Sequence, residues 1–78
     1  MLGVDELGQV IHALCVAQLP EGAEFDEHSG FFEAGLTSKA LTTVMVELRE
    51  RGIPVTLLNF FKHQNVATLA AALSGAHG

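Results

Sequence analysis

At 78 residues the chain has room for one domain, and a domain this small buries too little surface to build a deep catalytic cleft. Nine acidic residues against four basic ones leave a formal charge of −5, which repels nucleic-acid phosphates and anionic membranes and favours basic protein partners. A single cysteine, Cys15, excludes an internal disulfide, and no Cys/His spacing points to a metal site.

The opening Met1-Leu2-Gly3-Val4-Asp5-Glu6 lacks a positive region followed by a long apolar run, and no stretch is long enough to span a bilayer. A cytoplasmic location is expected. The first helix is predicted from about Asp5 to Gln18, where Leu7, Val10, Ile11 and Leu14 recur at helical spacing behind two carboxylates that suit a helix N-terminus. Cys15 is expected at the core edge of that helix.

Pro20, Gly22, Gly30 and Gly35 then punctuate an acidic connection longer than helix connections usually are. Phe25, Phe31 and Phe32 are the candidates to pin it to the core. A second helix runs from Ser38 through the stripe Leu41, Val44, Met45 and Leu48 to Gly52, a residue suited to the left-handed position after a helix. Ile53-Pro54-Val55 reads as extended, because proline restricts its predecessor. Thr56 can cap a short helix carrying Leu57, Leu58, Phe60 and Phe61, and Asn65 can cap a last one with Val66, Leu69, Ala70 and Leu73 inward.

No segment alternates as a strand does, so the expected fold is all-α, a four-helix bundle of three longer helices and one short one. A single domain is expected over residues 1–78, with its core over about 5–74 and a tail over 75–78. Such a bundle hosts many functions, and only a site can discriminate among them.

The chemistry-bearing candidate is Ser38. It opens the second helix, where unpaired N–H groups and the macrodipole stabilise a negative charge by roughly 0.3 to 1 kcal/mol, and Lys39 adds a cation beside it. Taken alone, a serine at this place is most simply a helix cap. Its surroundings point further. Phe31-Phe32-Glu33-Ala34-Gly35-Leu36-Thr37-Ser38 resembles the F-F-x-x-G-x-x-S block of the acyl and peptidyl carrier protein family. Val46 to Gly52 resembles the end of that family's second helix, and Phe61 to Ala70 resembles its F-x-H-P-T-V-x-x-L-A segment.

The resemblance implies that a phosphopantetheinyl transferase moves 4′-phosphopantetheine from coenzyme A onto Ser38, with Leu36, Thr37 and Lys39 flanking the attachment. It implies a non-catalytic shuttle, handed between an acyl- or aminoacyl-loading enzyme and downstream synthase or transferase enzymes. The chain departs from the family pattern at Thr37, where Asp or His is usual, at Lys39, where Leu or Ile is usual, and at Gln64, where proline is usual. Gly35-Leu36-Thr37-Ser38 looks more like polyketide-type acyl carriers than like peptidyl carriers of nonribosomal peptide synthesis. Met1 close to the first helix and the short tail favour a discrete protein over a domain cut from a larger synthase, and a monomer is expected.

Opposite the apolar stripe of the second helix lie Lys39, Thr43, Val46 and Glu50. Docking of successive enzymes on this face, through Val46, Glu47, Thr43 and Glu50, follows from the resemblance. The loop acids Glu21, Glu24, Asp26, Glu27 and Glu33 read first as solvated surface. No histidine among His12, His28, His63 and His77 has a nucleophile at an identifiable spacing, so all four read as structural or solvent-facing. Two rival readings are a helical adaptor without a prosthetic group and, disfavoured by size, a small enzyme.

Overall fold

A computed structural model describes residues 3–74. Four helices make up the regular structure among them: α1 (Val4–Ala17), α2 (Ser38–Glu50), α3 (Leu57–Lys62) and α4 (Val66–Ser74), with no strand. The tail expected over 75–78 lies outside the described residues. Both α1 and α4 start with the capping the sequence permits: Gly3 enters α1 in an extended conformation with no side-chain bond, whereas Asn65 Oδ1 accepts from the Thr68 N–H at 2.8 Å. The N-terminal end of α1 falls one residue before the expected Asp5, because Gly3 needs no side chain to turn into the helix.

The core is one apolar cluster to which every element contributes. From α1 come Leu7, Ile11 and Cys15, from α2 Leu41, Val44 and Leu48, from α3 Phe60, and from α4 Val66, Leu69 and Ala70. Val10, Leu14, Met45 and Leu73, also expected inside, are half-buried and packed against this cluster. Cys15 corrects the expectation of a core-edge position. It stands a full turn beyond Ile11 on the same stripe and is wholly buried, and that burial pushes its thiol up to about 12.

After α2, Gly52 takes the left-handed conformation (φ 86°), which lets the Ile53 N–H return to the Leu48 carbonyl at 3.0 Å. Ile53 and Val55 then fall inward on either side of Pro54, and the Thr56 N–H donates to Asn59 Oδ1 at 2.8 Å to open α3. Helix α1 packs against both α4 and α2, and α2 against α3.

The long connection from 18 to 37 is held at successive points. The ring of His12, on α1, stacks on Phe25 (centroids 5.3 Å apart), and its Nε2 lies 2.7 Å from the Phe25 carbonyl oxygen. Because a carbonyl only accepts, Nε2 carries the proton. Further along, the Ala67 N–H donates to the Glu27 carbonyl at 2.9 Å and the Phe31 N–H to the Gln64 carbonyl at 2.8 Å. Phe31 is the central strut. It is fully buried, meets Phe60 edge-on at 5.2 Å and stacks more loosely on Phe25 at 6.3 Å. Phe25 is half-buried, as a lid over that contact. Phe32 departs from the expectation that it pins the loop to the core: it is 40% exposed and stacks face to face on Phe61 at the surface.

Candidate functional site around Ser38

The lead-in to α2 is built in three steps. The Leu36 N–H returns to the Phe31 carbonyl at 3.0 Å, closing a tight turn in which Gly35 adopts φ 107°, a conformation that disfavours any side chain. Leu36 then turns into the core, so it flanks Ser38 in sequence while its side chain serves as an anchor. Thr37 follows in an extended conformation and accepts from the Ala40 N–H through Oγ1 at 3.1 Å.

Thr37 is therefore the helix cap, and Ser38 is not. Ser38 is the first residue of the helix proper and is exposed. Among the described residues no hydrogen bond engages its hydroxyl, while its carbonyl accepts from the Thr42 hydroxyl at 2.8 Å. The reading of Ser38 as a structural cap fails on this geometry. At the same time the departure at Thr37 gains a structural role, since threonine supplies the capping oxygen that an aspartate would.

The electrostatics favour an anion at this place. The first turn of α2 contains no acidic residue, Lys39 is exposed next to Ser38, and the N–H groups at the start of the helix have no preceding turn to bond to. A phosphodiester on Ser38 fits such surroundings: among the described residues no hydrogen bond engages the hydroxyl, the residue sits at the positive end of the dipole, and the next residue in the chain is an exposed lysine.

The comparison with protein families finds the family described as phosphopantetheine attachment site, matched over residues 9–73. The chain belongs to that family. Neither a curated protein nor a solved structure matches it. The chain is thus a carrier of covalently attached 4′-phosphopantetheine, and its all-helical fold agrees with that assignment. Carriers of this kind are generally non-catalytic and work with a phosphopantetheinyl transferase and with synthase enzymes. No helix among the described residues is long and apolar enough to cross a membrane.

The other sequence candidates separate cleanly. On the outer side of α2, Thr43 and Glu50 are exposed and Val46 is 45% exposed, with Glu47 half-buried beside them. Lys39 and Thr43 share that side, joined by the Thr43 hydroxyl donating to the Lys39 carbonyl at 3.3 Å. Of the histidines, His12 holds the loop, the exposed His28 lies 3.5 Å from Glu27, and His63 ends α3. His77 lies outside the described residues. The loop acids stand apart from Ser38 in role: Asp26 accepts from the His28 N–H at 2.8 Å and from the Ser29 hydroxyl, and the backbone bond holds its carboxyl below the usual carboxylate range.

Sequence reasoning missed one feature near this end of the molecule. Phe61, 46% exposed, and Leu58, 59% exposed, stand outward on α3, and Phe32 stacks on Phe61 at 5.4 Å. The signal was the doubling itself: neighbours on a helix point about 100° apart, so Phe60 and Phe61 cannot both face the core.

Proposed function

We propose that Ser38 is the attachment point of the phosphopantetheine arm and that the carrier serves polyketide-type biosynthesis, holding acyl intermediates as thioesters on the arm's thiol. The observation that supports the attachment is the division of labour at the start of α2: Thr37 supplies the capping oxygen and leaves the exposed Ser38 hydroxyl free. A transferase can then place a phosphate where the helix already favours negative charge. The chain itself is substrate and shuttle, while the arm carries the cargo. Thr37 and Lys39 present the serine, and Val46 with Thr43, Glu47 and Glu50 forms the face on which partner enzymes dock, weakly enough for release at each station. The acyl preference rests on Gly35-Leu36-Thr37-Ser38 alone.

Intact-mass measurement after incubation with coenzyme A and a broad-specificity transferase tests the attachment. The wild-type chain gains one phosphopantetheine and Ser38→Ala gains none; equal gain by both removes Ser38 from the role. Loading assays with acyltransferases and with adenylating enzymes test the cargo. Transfer of amino acids alone would assign the chain to peptide synthesis instead.

A further inference from the structure

Along α1 from Val4 to His12, a surface cavity of about 500 Å³ opens between α1 and α4. It is lined by the small residues Gly8, Ala67 and Ala70, by the acidic Asp5 and Glu27, and by His12, whose ring is engaged with the Phe25 carbonyl. We propose that this groove is a second protein-docking site, which takes an arginine or lysine side chain from a basic segment of a partner protein.

The small and the acidic residues divide the occupant's chemistry between them. Small side chains leave a slot against which the methylene stem of a long basic residue can pack, and the exposed Asp5 and Glu27 supply carboxylates for its charged head. Glu27 is held in place by the fold. Its carbonyl accepts from the Ala67 N–H at 2.9 Å, and the neighbouring stretch is tied to α1 through His12 and the Phe25 carbonyl. Asp5 is fixed by its place in the first turn of α1.

The chain offers these carboxylates little of its own. Among the described residues no lysine or arginine forms an ion pair, and the one ionic contact is the exposed His28 against Glu27 at 3.5 Å. A charge of −5 disfavours a second copy, a nucleic acid or an anionic membrane, and draws a basic protein surface. Arginine fits best, because its planar fork can pair with carboxylates while its stem lies on apolar surface.

Gly35, three residues before Ser38, packs near Leu19, beyond the C-terminal end of α1, whereas the groove lies along that helix between Val4 and His12. The groove reaches along α1 as far as His12, and the seven residues from there to Leu19 span about 10 Å at 1.5 Å per residue. The inference stands on the groove alone and survives whether or not Ser38 is the attachment point.

The test is an amide-shift titration of the full-length, isotope-labelled chain with a capped Leu-Arg-Leu peptide and with its citrulline counterpart. Shifts are expected to centre on Gly8, Ala67 and Ala70, with binding weakened about fivefold or more for citrulline and for the Asp5→Asn, Glu27→Gln double variant. Asp5→Lys, a single change at an exposed position, should weaken it at least as much, and Ser38→Ala should leave it unchanged. Equal binding of the citrulline peptide overturns the proposal, as do shifts centred on Glu21 and Glu24. Binding seen only after residues 75–78 are removed would make the chain's own tail the occupant. Self-association in sedimentation that protects the groove would make it a second copy.

Discussion

Helices α1 and α2 begin in opposite electrical states. The first turn of α1 carries Asp5 and Glu6, which satisfy the positive end of its dipole, and Gly3 enters it without a side-chain cap. The first turn of α2 carries no acid, is capped by the neutral Thr37, and holds Lys39. Both ends expose the same kind of backbone groups, but only the start of α2 keeps its attraction for an anion uncompensated. With the attachment proposed at Ser38, the phosphate would join the chain at the one of these two ends that still favours a negative charge.

The largest way to break the contrast is to remove the strut that shapes the start of α2. Phe31→Ala should cost about 3 to 5 kcal/mol in urea unfolding, because the Phe31 ring is fully buried against Phe60, and its loss loosens the backbone whose carbonyl holds the Leu36 turn. In hydrogen exchange on that variant the first turn of α2 should lose protection before α1 does. A smaller loss, or protection lost equally in both helices, would show that the strut does not act specifically on the Ser38 end.

The far end of α1 responds to pH through Cys15. Burial raises its folded value from 9.0 to about 12, so the folded state holds the thiol proton more tightly than the unfolded chain. Its contribution is fully present below pH about 9 and is lost as pH rises toward about 12. Alkaline unfolding curves of wild type should therefore fall more steeply than those of Cys15→Ala, by a few kcal/mol on the order set by linkage. Parallel curves would contradict a buried, protonated thiol.

Smaller changes sharpen the contrast itself. Thr37→Ala should cost about 1 kcal/mol, and Thr37→Asp should restore or exceed wild-type stability, since the capping oxygen returns with a charge the dipole favours. Lys39→Glu should stabilise the unmodified chain by roughly 0.3 to 1 kcal/mol while slowing phosphopantetheine transfer, because it gives α2 the acidic first turn that α1 already has. Thermal melts and transfer rates on the same samples read the two effects, and a variant that gains stability with no loss of rate would separate the field at α2 from the modification.

Much of the fold was legible because it repeats on the helical period. The stripes of α1, α2 and α4, the caps at Thr56 and Asn65, and the left-handed Gly52 are each local features, decided within a few residues of themselves. The loop was legible only in outline. That Phe31 turns inward and Phe32 outward depends on where Phe60 and Gln64 stand, more than twenty-five residues later. The complete burial of Cys15 was not legible, because the stripe from Leu7 to Leu14 ends before it and only tertiary packing brings it into the core cluster. The candidate site divided in the same way: the doubled phenylalanines and Gly35 single out Ser38 as the candidate, but only the distance from Thr37 Oγ1 to the Ala40 N–H assigns the cap to Thr37.

The sequence by itself determined four helices, an acidic surface and membership of a phosphopantetheine-carrying family, because periodicity, charge and motif spacing are properties of the chain alone. Tertiary structure decided which hydroxyl caps α2 and which stays free, which phenylalanine of each pair is buried, and that Asp5 and Glu27 share one groove. Those outcomes require residues distant in sequence to meet, and only the packing of α1, α4 and the loop brings them together.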